Sequence, residues 1–314
     1  MADIKKIATR QSYGDALAAL GDEFPIIVLD ADLSKSTKTD VFKKKYPDRF
    51  INMGIAEANM MSTAAGLASC GKTVFASSFA MFAAGRAFEQ VRNSICYPNL
   101  NVKIGATHAG ISVGEDGATH QCLEDIGIMR TLPNMVIINP ADDVEAKAAV
   151  RAACEHDGPV YLRFGRLGVP VVFDESTYKF EIGKGVVLSE GADVTIIATG
   201  LMVEMALNAK ELLANQGISA EIINIATIKP IDAQIIAKSA QKTGAVVTCE
   251  EHNIIGGLGS AVAEVLVENA PVPMERVGTR DVFGRSGTPA QLFKVYGLTP
   301  EAIVEAAKKA ISKK

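Results

Sequence analysis

Short, continuously apolar segments alternate along this chain with stretches whose apolar residues recur at helical spacing. The apolar segments lie near 25–30, 50–53, 73–77, 102–107, 135–139 and 160–164. The helical stretches between them lie near 10–20, 57–70, 83–96, 121–130 and 142–155. Continuously apolar strands are typical of a parallel sheet that is covered on both faces. The pattern therefore predicts an α/β fold of mostly parallel sheets flanked by helices, with functional side chains on the loops that follow the strands.

The alternation is interrupted around 174–185 by a polar, irregular stretch. It then resumes with predicted strands near 194–198, 218–225 and 245–249, and with predicted helices near 203–215, 232–242, 258–269 and 300–312. A chain of 314 residues is long enough for two domains that each have a core. We therefore predict one domain over residues 1–175, a linker over 176–186 and a second domain over 187–314. The glycine-rich loop 250–259 lacks the full dinucleotide fingerprint, and we assign it no chemistry.

Composition excludes several classes of partner. The net charge of −4 and the pI near 5.7 argue against nucleic acid, which needs a basic surface. No apolar run is long enough to span a membrane, and the first residues lack a secretory apolar core.

The five cysteines are scattered and never spaced as metal ligands. We expect reduced core thiols in a cytoplasmic protein, and no metal site on this chain.

Glu57 lies where a strand gives way to a helix. Gly54 permits a tight turn after the apolar run 50–53, and small and apolar residues follow Glu57 at helical spacing. Glu57 is therefore expected in the first turn of a largely buried helix, where the helix dipole favours its charge and burial disfavours it. It is either a helix-end charge without chemistry or a buried functional carboxyl.

The densest group of polar residues is the glycine-rich loop 107–121, which follows a predicted strand. Two of the four histidines, His108 and His120, lie in it, with Glu115 and Asp116 between them. Histidine and carboxylate can bind a metal, but no third histidine or cysteine lies near, which disfavours zinc. We favour recognition of a sugar or a phosphate. The alternative is two surface histidines on a flexible loop.

Two smaller groups follow other predicted strands. Phe79 and Phe82 are three residues apart and project from one side, so they either belong to the core or hold a flat heterocycle. Cationic and hydroxyl side chains that could bind a phosphate occur at Arg10, Ser34, Ser36, Arg163 and Arg166. Each of these is alternatively a surface group or a member of a structural ion pair.

Three motifs, in this order and spacing, resemble the pyrimidine-binding half of transketolases. They are Gly54-Ile-Ala-Glu57-Ala-Asn-Met, Ser78-Phe79-Ala-Met-Phe82, and Thr107-His108 through Gly114-Glu-Asp-Gly-Ala-Thr-His120-Gln. Pro133-Asn-Met135 through Pro140-Ala-Asp142 continues the match, and the second domain resembles the transketolase C-terminal domain. The Gly-Asp-Gly motif with which transketolases hold the diphosphate and a divalent metal does not occur. The resemblance therefore implies the C-terminal subunit of a split transketolase.

The resemblance implies thiamine diphosphate as cofactor. Glu57 matches the glutamate that hydrogen-bonds N1′ of the aminopyrimidine, and burial suits a carboxyl that shares a proton with a ring nitrogen. Phe79 and Phe82 match the aromatic residues that pack on the pyrimidine and exclude water. Asp32 matches a further residue near the cofactor.

The same match implies a substrate site. His120 matches a catalytic residue that reaches the hydroxyls of the donor sugar, and Asp116 matches one that reads a hydroxyl next to the reacting carbon. The residues matched to the terminal phosphate of the substrate are His108, Arg10, Ser36 (or Ser34, because the alignment needs a small gap) and Arg163. The implied reaction transfers a two-carbon glycolaldehyde unit from a ketose phosphate to an aldose phosphate.

The resemblance also implies a partner. A separately encoded N-terminal transketolase subunit would hold the diphosphate with a Mg or Ca ion, and the family's expectation is an α2β2 heterotetramer. By itself this chain should bind thiamine diphosphate weakly or not at all.

Other interpretations stay open. Deoxyxylulose phosphate synthases and two-oxoacid dehydrogenase β subunits use a similar glutamate. The Phe79 and Phe82 pair favours transketolase, as does Thr107-His108, since the synthases usually carry an arginine-containing loop there. A catalytically inactive scaffold subunit is the non-enzyme alternative. The ionisable groups retained at Glu57 and in the loop 107–121 weigh against it, because ionisable groups that cost burial energy tend to be lost from a site without a function. Those of the loop are His108, Asp116 and His120.

Overall fold

Alternating strands and helices make up the computed structural model, which describes residues 6–314. The strands are β1 (Lys6–Ala8), β2 (Ile27–Asp30), β3 (Phe50–Asn52), β4 (Val74–Phe79), β5 (Val102–Thr107), β6 (Val136–Ile138), β7 (Val160–Arg163), β8 (Gly168–Pro170), β9 (Val186–Ser189), β10 (Val194–Ala198), β11 (Ala220–Asn224), β12 (Thr227–Lys229), β13 (Val246–Asn253) and β14 (Met274–Thr279). The α-helices are α1 (Thr9–Leu20), α2 (Ser34–Thr37), α3 (Asp40–Lys45), α4 (Glu57–Ser69), α5 (Phe88–Gln90), α6 (Asp125–Arg130), α7 (Asp143–Glu155), α8 (Met202–Ala214), α9 (Ala233–Thr243), α10 (Leu258–Asn269), α11 (Pro289–Tyr296) and α12 (Pro300–Ile311).

A seven-stranded sheet is the centre of the N-terminal half, in the order β12-β6-β7-β5-β4-β2-β3. Every neighbouring pair is parallel except β12 with β6. The members β4 and β5 are buried along their whole length, as their continuous apolar pattern predicts. Because parallel strands end at one edge, the loops after β2, β4 and β5 lie together there.

A five-stranded sheet is the centre of the C-terminal half, in the order β14-β13-β10-β11-β9. Its strands are parallel except β9, which runs antiparallel to β11. The predicted fold class, mostly parallel sheets flanked by helices, is confirmed. The strand β12 joins the first sheet although it follows the predicted linker, so the two halves share backbone hydrogen bonds.

Several elements differ from the sequence prediction. The predicted helix near 83–96 consists of a π-helix at Met81–Arg86, the short α5 and a second π-helix at Val91–Cys96. Only the last part of the predicted helix at 121–130 is helical, as α6. The predicted linker 176–186 ends on the first residue of β9. The pattern also gave no indication of α11, whose N-terminus is capped by Thr288 and Gln291.

Four of the five cysteines are buried and all five are free thiols, but Cys70 is exposed, so the prediction of a core position is wrong for that residue. Over residues 6–314, no helix combines the length and the apolar character that crossing a bilayer requires.

Candidate active site

Glu57 is a buried carboxylate at the start of α4. Gly54, with φ of +71°, provides the turn that precedes it, and the Glu57 side chain is 1% exposed. Its Oε2 accepts a hydrogen bond from Nη1 of Arg86 at 3.0 Å. The Arg86 side chain is 52% exposed, so this ion pair joins a buried acid to a half-solvated base.

Four rings from two separate motifs form one cluster that includes both histidines of the loop 107–121. Phe79 ends β4, and its ring lies nearly parallel to that of Phe82, with centroids 5.9 Å apart. The imidazole of His108 stacks on Phe79 at 3.8 Å, and His120 meets Phe82 edge-on at 5.4 Å. The structure therefore brings together the aromatic pair and the two histidines that the sequence singled out.

His108 is held as a neutral imidazole. Arg10 donates from Nη1 to its Nε2 at 3.0 Å, and Nδ1 lies 2.9 Å from Oγ1 of Thr107. Because a guanidinium only donates, Nε2 accepts and Nδ1 carries the proton. Burial first, and then the positive charges of Arg10 and Arg166, lower the pKa of His108 to about 3. His108 can therefore donate or accept a hydrogen bond but carries no charge near neutral pH.

Arg10 and Arg166 supply positive charge around His108. Arg10 donates to the backbone oxygen of Ser36 at 3.0 Å, and its buried Nε has no partner among residues 6–314. Burial and the charge of Arg166 lower the pKa of Arg10. Arg166 donates to the oxygen of Val113 at 2.5 Å and lies 3.7 Å from Oδ2 of Asp116. Two cations with unfilled hydrogen-bonding capacity suit an anionic group of a ligand.

The structure gives Arg163 a different position from the one that the sequence indicated. Its side chain is 3% exposed, and its Nε donates to Oδ2 of Asp125 at 2.8 Å. It also donates to the backbone oxygen of Glu251, in the C-terminal half, at 3.0 Å. Arg163 is thus occupied by a buried network between the halves. Arg166, three residues later, takes the place beside His108.

The remaining predicted residues lie around this cluster. Asp116 is exposed in the loop 107–121, and Nδ1 of His120 lies 2.9 Å from Oγ1 of Thr119. Ser36, in α2, contacts Arg10 through its carbonyl rather than its hydroxyl. Asp32 is exposed, has φ of 64° and accepts from Nδ2 of Asn52 at 2.8 Å.

Sequence reasoning missed Arg86 altogether. The available signal was its spacing of four residues after Phe82, because residues four apart in a helix share a face. No group of three or more histidine, cysteine, aspartate or glutamate side chains within the described part of the chain could hold a metal ion.

Comparison with known proteins identifies the family. The family model of the transketolase pyrimidine-binding domain matches residues 5–171, and that of the transketolase C-terminal domain matches residues 183–303. The chain belongs to the transketolase family. A putative transketolase C-terminal section from Methanocaldococcus jannaschii is 55% identical over 299 residues, which is 94% of each chain.

Two further members of this transketolase family are similar over nearly their whole lengths. A solved structure described as a split gene transketolase, an inactive β4 tetramer, has 57% identity and a TM-score of 0.92, and covers 98% of this chain and 99% of its own. A 6-deoxy-6-sulfo-D-fructose transketolase subunit from a Clostridium species is 46% identical over 306 residues, 97% of this chain and 95% of that one. The predicted resemblance to the C-terminal part of transketolase is confirmed.

Proposed function

We propose that this chain is the C-terminal subunit of a thiamine-diphosphate-dependent transketolase, which transfers a two-carbon glycolaldehyde unit from a ketose phosphate to an aldose phosphate. The observation that carries the proposal is the buried carboxyl of Glu57, whose partner Arg86 also lies over the ring of Phe82, beside the nearly parallel ring of Phe79. Membership of the transketolase family supports the use of thiamine diphosphate.

The residues present fit the aminopyrimidine end of that cofactor. Glu57 offers a buried carboxyl that can hydrogen-bond a ring nitrogen. Phe79 and Phe82 offer flat apolar surfaces for the ring. The bound cofactor supplies the nucleophilic carbon of the reaction.

The residues of this chain are proposed to position the cofactor and the sugar and to hold a proton at the cofactor. Glu57 holds a proton at N1′ of the aminopyrimidine, and the aromatic cluster excludes water, which strengthens that interaction. His120 is proposed to bind the hydroxyls of the donor sugar and to act in catalysis. Asp116 is proposed to recognise the sugar hydroxyl next to the reacting carbon. Asp32 is proposed to lie near the cofactor.

A phosphate at the far end of the substrate is proposed to bind between Arg10 and Arg166, with neutral His108 as a hydrogen-bond partner. Burial first, and then the charge of Arg166, lower the pKa of Arg10, and an anion between the two arginines would offset their mutual repulsion. Ser36 belongs to this group through its contact with Arg10. Arg163 is not retained, because its Nε and Nη2 already donate to Asp125 and to backbone oxygens within the protein.

The proposal includes a separate N-terminal subunit and an α2β2 assembly. The Mg or Ca ion and the diphosphate are proposed to lie on that partner. The names of the similar proteins, a C-terminal section and a subunit, support a two-subunit enzyme.

Co-expression with a candidate N-terminal subunit tests the proposal. The complex should convert xylulose 5-phosphate and ribose 5-phosphate without releasing carbon dioxide. Decarboxylation of pyruvate would instead indicate a synthase or a two-oxoacid dehydrogenase. A panel that includes 6-deoxy-6-sulfo-D-fructose measures the preference between a phosphate and a sulfonate end group.

Glu57→Gln tests the proposed carboxyl directly. We expect assembly to survive and turnover to fall by roughly two orders of magnitude or more, the usual scale for an acid–base group. Glu89→Gln is the matched control, because Glu89 is exposed in α5. Undiminished activity of Glu57→Gln would favour a scaffold subunit.

A further inference from the structure

Arg86 makes both contacts that the proposed function assigns to the aminopyrimidine ring. Its Nη1 donates to Oε2 of Glu57 at 3.0 Å, and its Cζ lies 4.7 Å from the ring centroid of Phe82. A guanidinium and a protonated aminopyrimidine are alike in the relevant respects. Both are flat and delocalised, carry N–H donors and stack on aromatic rings.

We propose that Arg86 is an internal substitute for the aminopyrimidine. Its guanidinium occupies the subsite of that ring in the unloaded chain and leaves the subsite when the cofactor binds. This inference rests on the proposed function. It makes Arg86 a positioning residue for Glu57 before the site is filled, and a competitor of the cofactor afterwards.

Burial of Glu57 explains why a substitute is needed. A buried carboxylate without a partner destabilises a fold strongly, and no other side chain among residues 6–314 hydrogen-bonds to this one. Phe82 and Arg86 are four residues apart within the π-helix at Met81–Arg86, and this spacing brings them to the same side of it. One arginine can therefore pair with the acid and cover the ring at once.

The same structure leaves Arg86 free to withdraw. Half of its side chain is exposed, so the guanidinium can move out into solvent without losing bound water. A cavity of about 570 Å³ opens beside it, lined among others by Met81, Thr119 and Phe283. Every cofactor molecule that binds must displace the existing ion pair. The apparent affinity for the cofactor is therefore the intrinsic affinity multiplied by the fraction of chains in which Arg86 has left the subsite.

Titration of the assembled two-subunit enzyme with thiamine diphosphate and Mg²⁺ tests the competition. Arg86→Ala should bind the cofactor about three- to tenfold more tightly, since the displaced pair is half-exposed and therefore weak. Arg86→Gln, which keeps the length but not the charge, should do the same if the alanine variant folds poorly. Arg92→Ala, at another exposed arginine of this region, should bind like the unaltered enzyme. Weaker or unchanged binding by both Arg86 variants would overturn the proposal.

A double-mutant cycle gives a readout that is independent of activity. In the partner-free full chain, Glu57→Gln and Arg86→Ala should shift the urea midpoint non-additively, and in the cofactor-loaded complex the two shifts should add. Equal coupling between the two substitutions in both states would mean that Arg86 stays in place. That result would overturn the inference about Arg86 but leave the proposed function intact. Undiminished turnover of Glu57→Gln in the assembled enzyme would instead overturn the proposed function.

Discussion

Arg163 and Arg166 are three positions apart and have the same side chain, yet the fold gives them different surroundings. Arg163 ends β7 and is enclosed with Asp125, whereas Arg166 follows the strand and remains 38% exposed beside Asp116. An enclosed guanidinium that donates from Nε and Nη2 to groups of the protein itself stabilises the fold. A half-exposed one with unfilled donors can bind an anion.

Replacing Arg166 with alanine should therefore impair the binding of phosphorylated sugars. We expect the KM for ribose 5-phosphate to rise by about 10- to 100-fold with little change in kcat, since a charged hydrogen bond contributes roughly 1.5–3 kcal/mol. Steady-state kinetics with an unphosphorylated aldose are the control, because that substrate lacks the group in question. An equal loss for both aldoses would contradict the assignment.

Neutral His108 should make stability depend on pH. Its pKa is about 3 in the folded chain against an ordinary value of 6.5, so the unfolded chain binds the extra proton and stability is lost as the pH falls from about 6.5 towards 3. At pH 5 this loss is roughly 2 kcal/mol for the one residue. Urea unfolding of the chain and of His108→Gln at pH 7 and pH 5 measures it. The variant should lose less stability than the original; equal losses would refute the argument.

Among the elements, the loop 107–121 depends most on local backbone geometry. It carries His108, Asp116 and His120, and its Gly110 has φ of +84°, which L-residues with side chains rarely adopt. A Cβ at Gly110 would lie 2.3 Å from Cδ of Glu251, whose Oε1 accepts a hydrogen bond from the Ser112 backbone at 2.5 Å. The C-terminal half thus fixes the shape of a loop that belongs to the N-terminal half.

Gly110→Ala should destabilise the protein by about 2–4 kcal/mol, because backbone strain and the collision with Glu251 add together. Gly71→Ala is the matched control: Gly71 has φ of +77° and nothing within 4 Å of the added carbon, so only the strain of about 1 kcal/mol applies. Thermal unfolding of both variants gives the comparison. Equal destabilisation would show that the contact with Glu251 is unimportant.

At the scale of the whole molecule, a buried polar network joins the two halves. Asp125 lies at the start of α6 and accepts from Arg163 and from the hydroxyl of Tyr161 at 2.9 Å. Burial would raise the pKa of Asp125, but the positive charge and hydrogen bonds of Arg163 outweigh it, and the pKa is lowered. Together with β12, this network makes the halves one continuous structure.

Arg163→Ala should therefore reduce the free energy of unfolding by about 3–5 kcal/mol, because it leaves a buried aspartate without its counter-charge. Arg151→Ala removes an exposed arginine paired with Glu23 and should change stability by less than about 1 kcal/mol. Urea unfolding curves of the two variants are the measurement. A small effect at Arg163 would show that water can replace the guanidinium.

Local patterns in the sequence were sufficient to predict the architecture and the family. Continuously apolar strands and helical spacing are local properties, so they predicted β4, β5, α4 and α7 to within a few residues. The motifs around Glu57, Phe79 and His108 were recognisable because each is a short continuous segment. Their convergence also followed from the rule that parallel strands end at one edge.

The tertiary structure alone decided which charged groups pair. Arg86 with Glu57, Arg10 with His108, and Arg163 with Asp125 are 29 to 98 residues apart, and no local pattern encodes such distances. The same holds for the π-helices, which share the apolar spacing of ordinary helices, and for β12, which crosses to the other sheet. Whether an arginine stabilises the core or remains free for a ligand depends on its surroundings, because burial and counter-charge set the energy of a charge, and both arise only when the chain is folded.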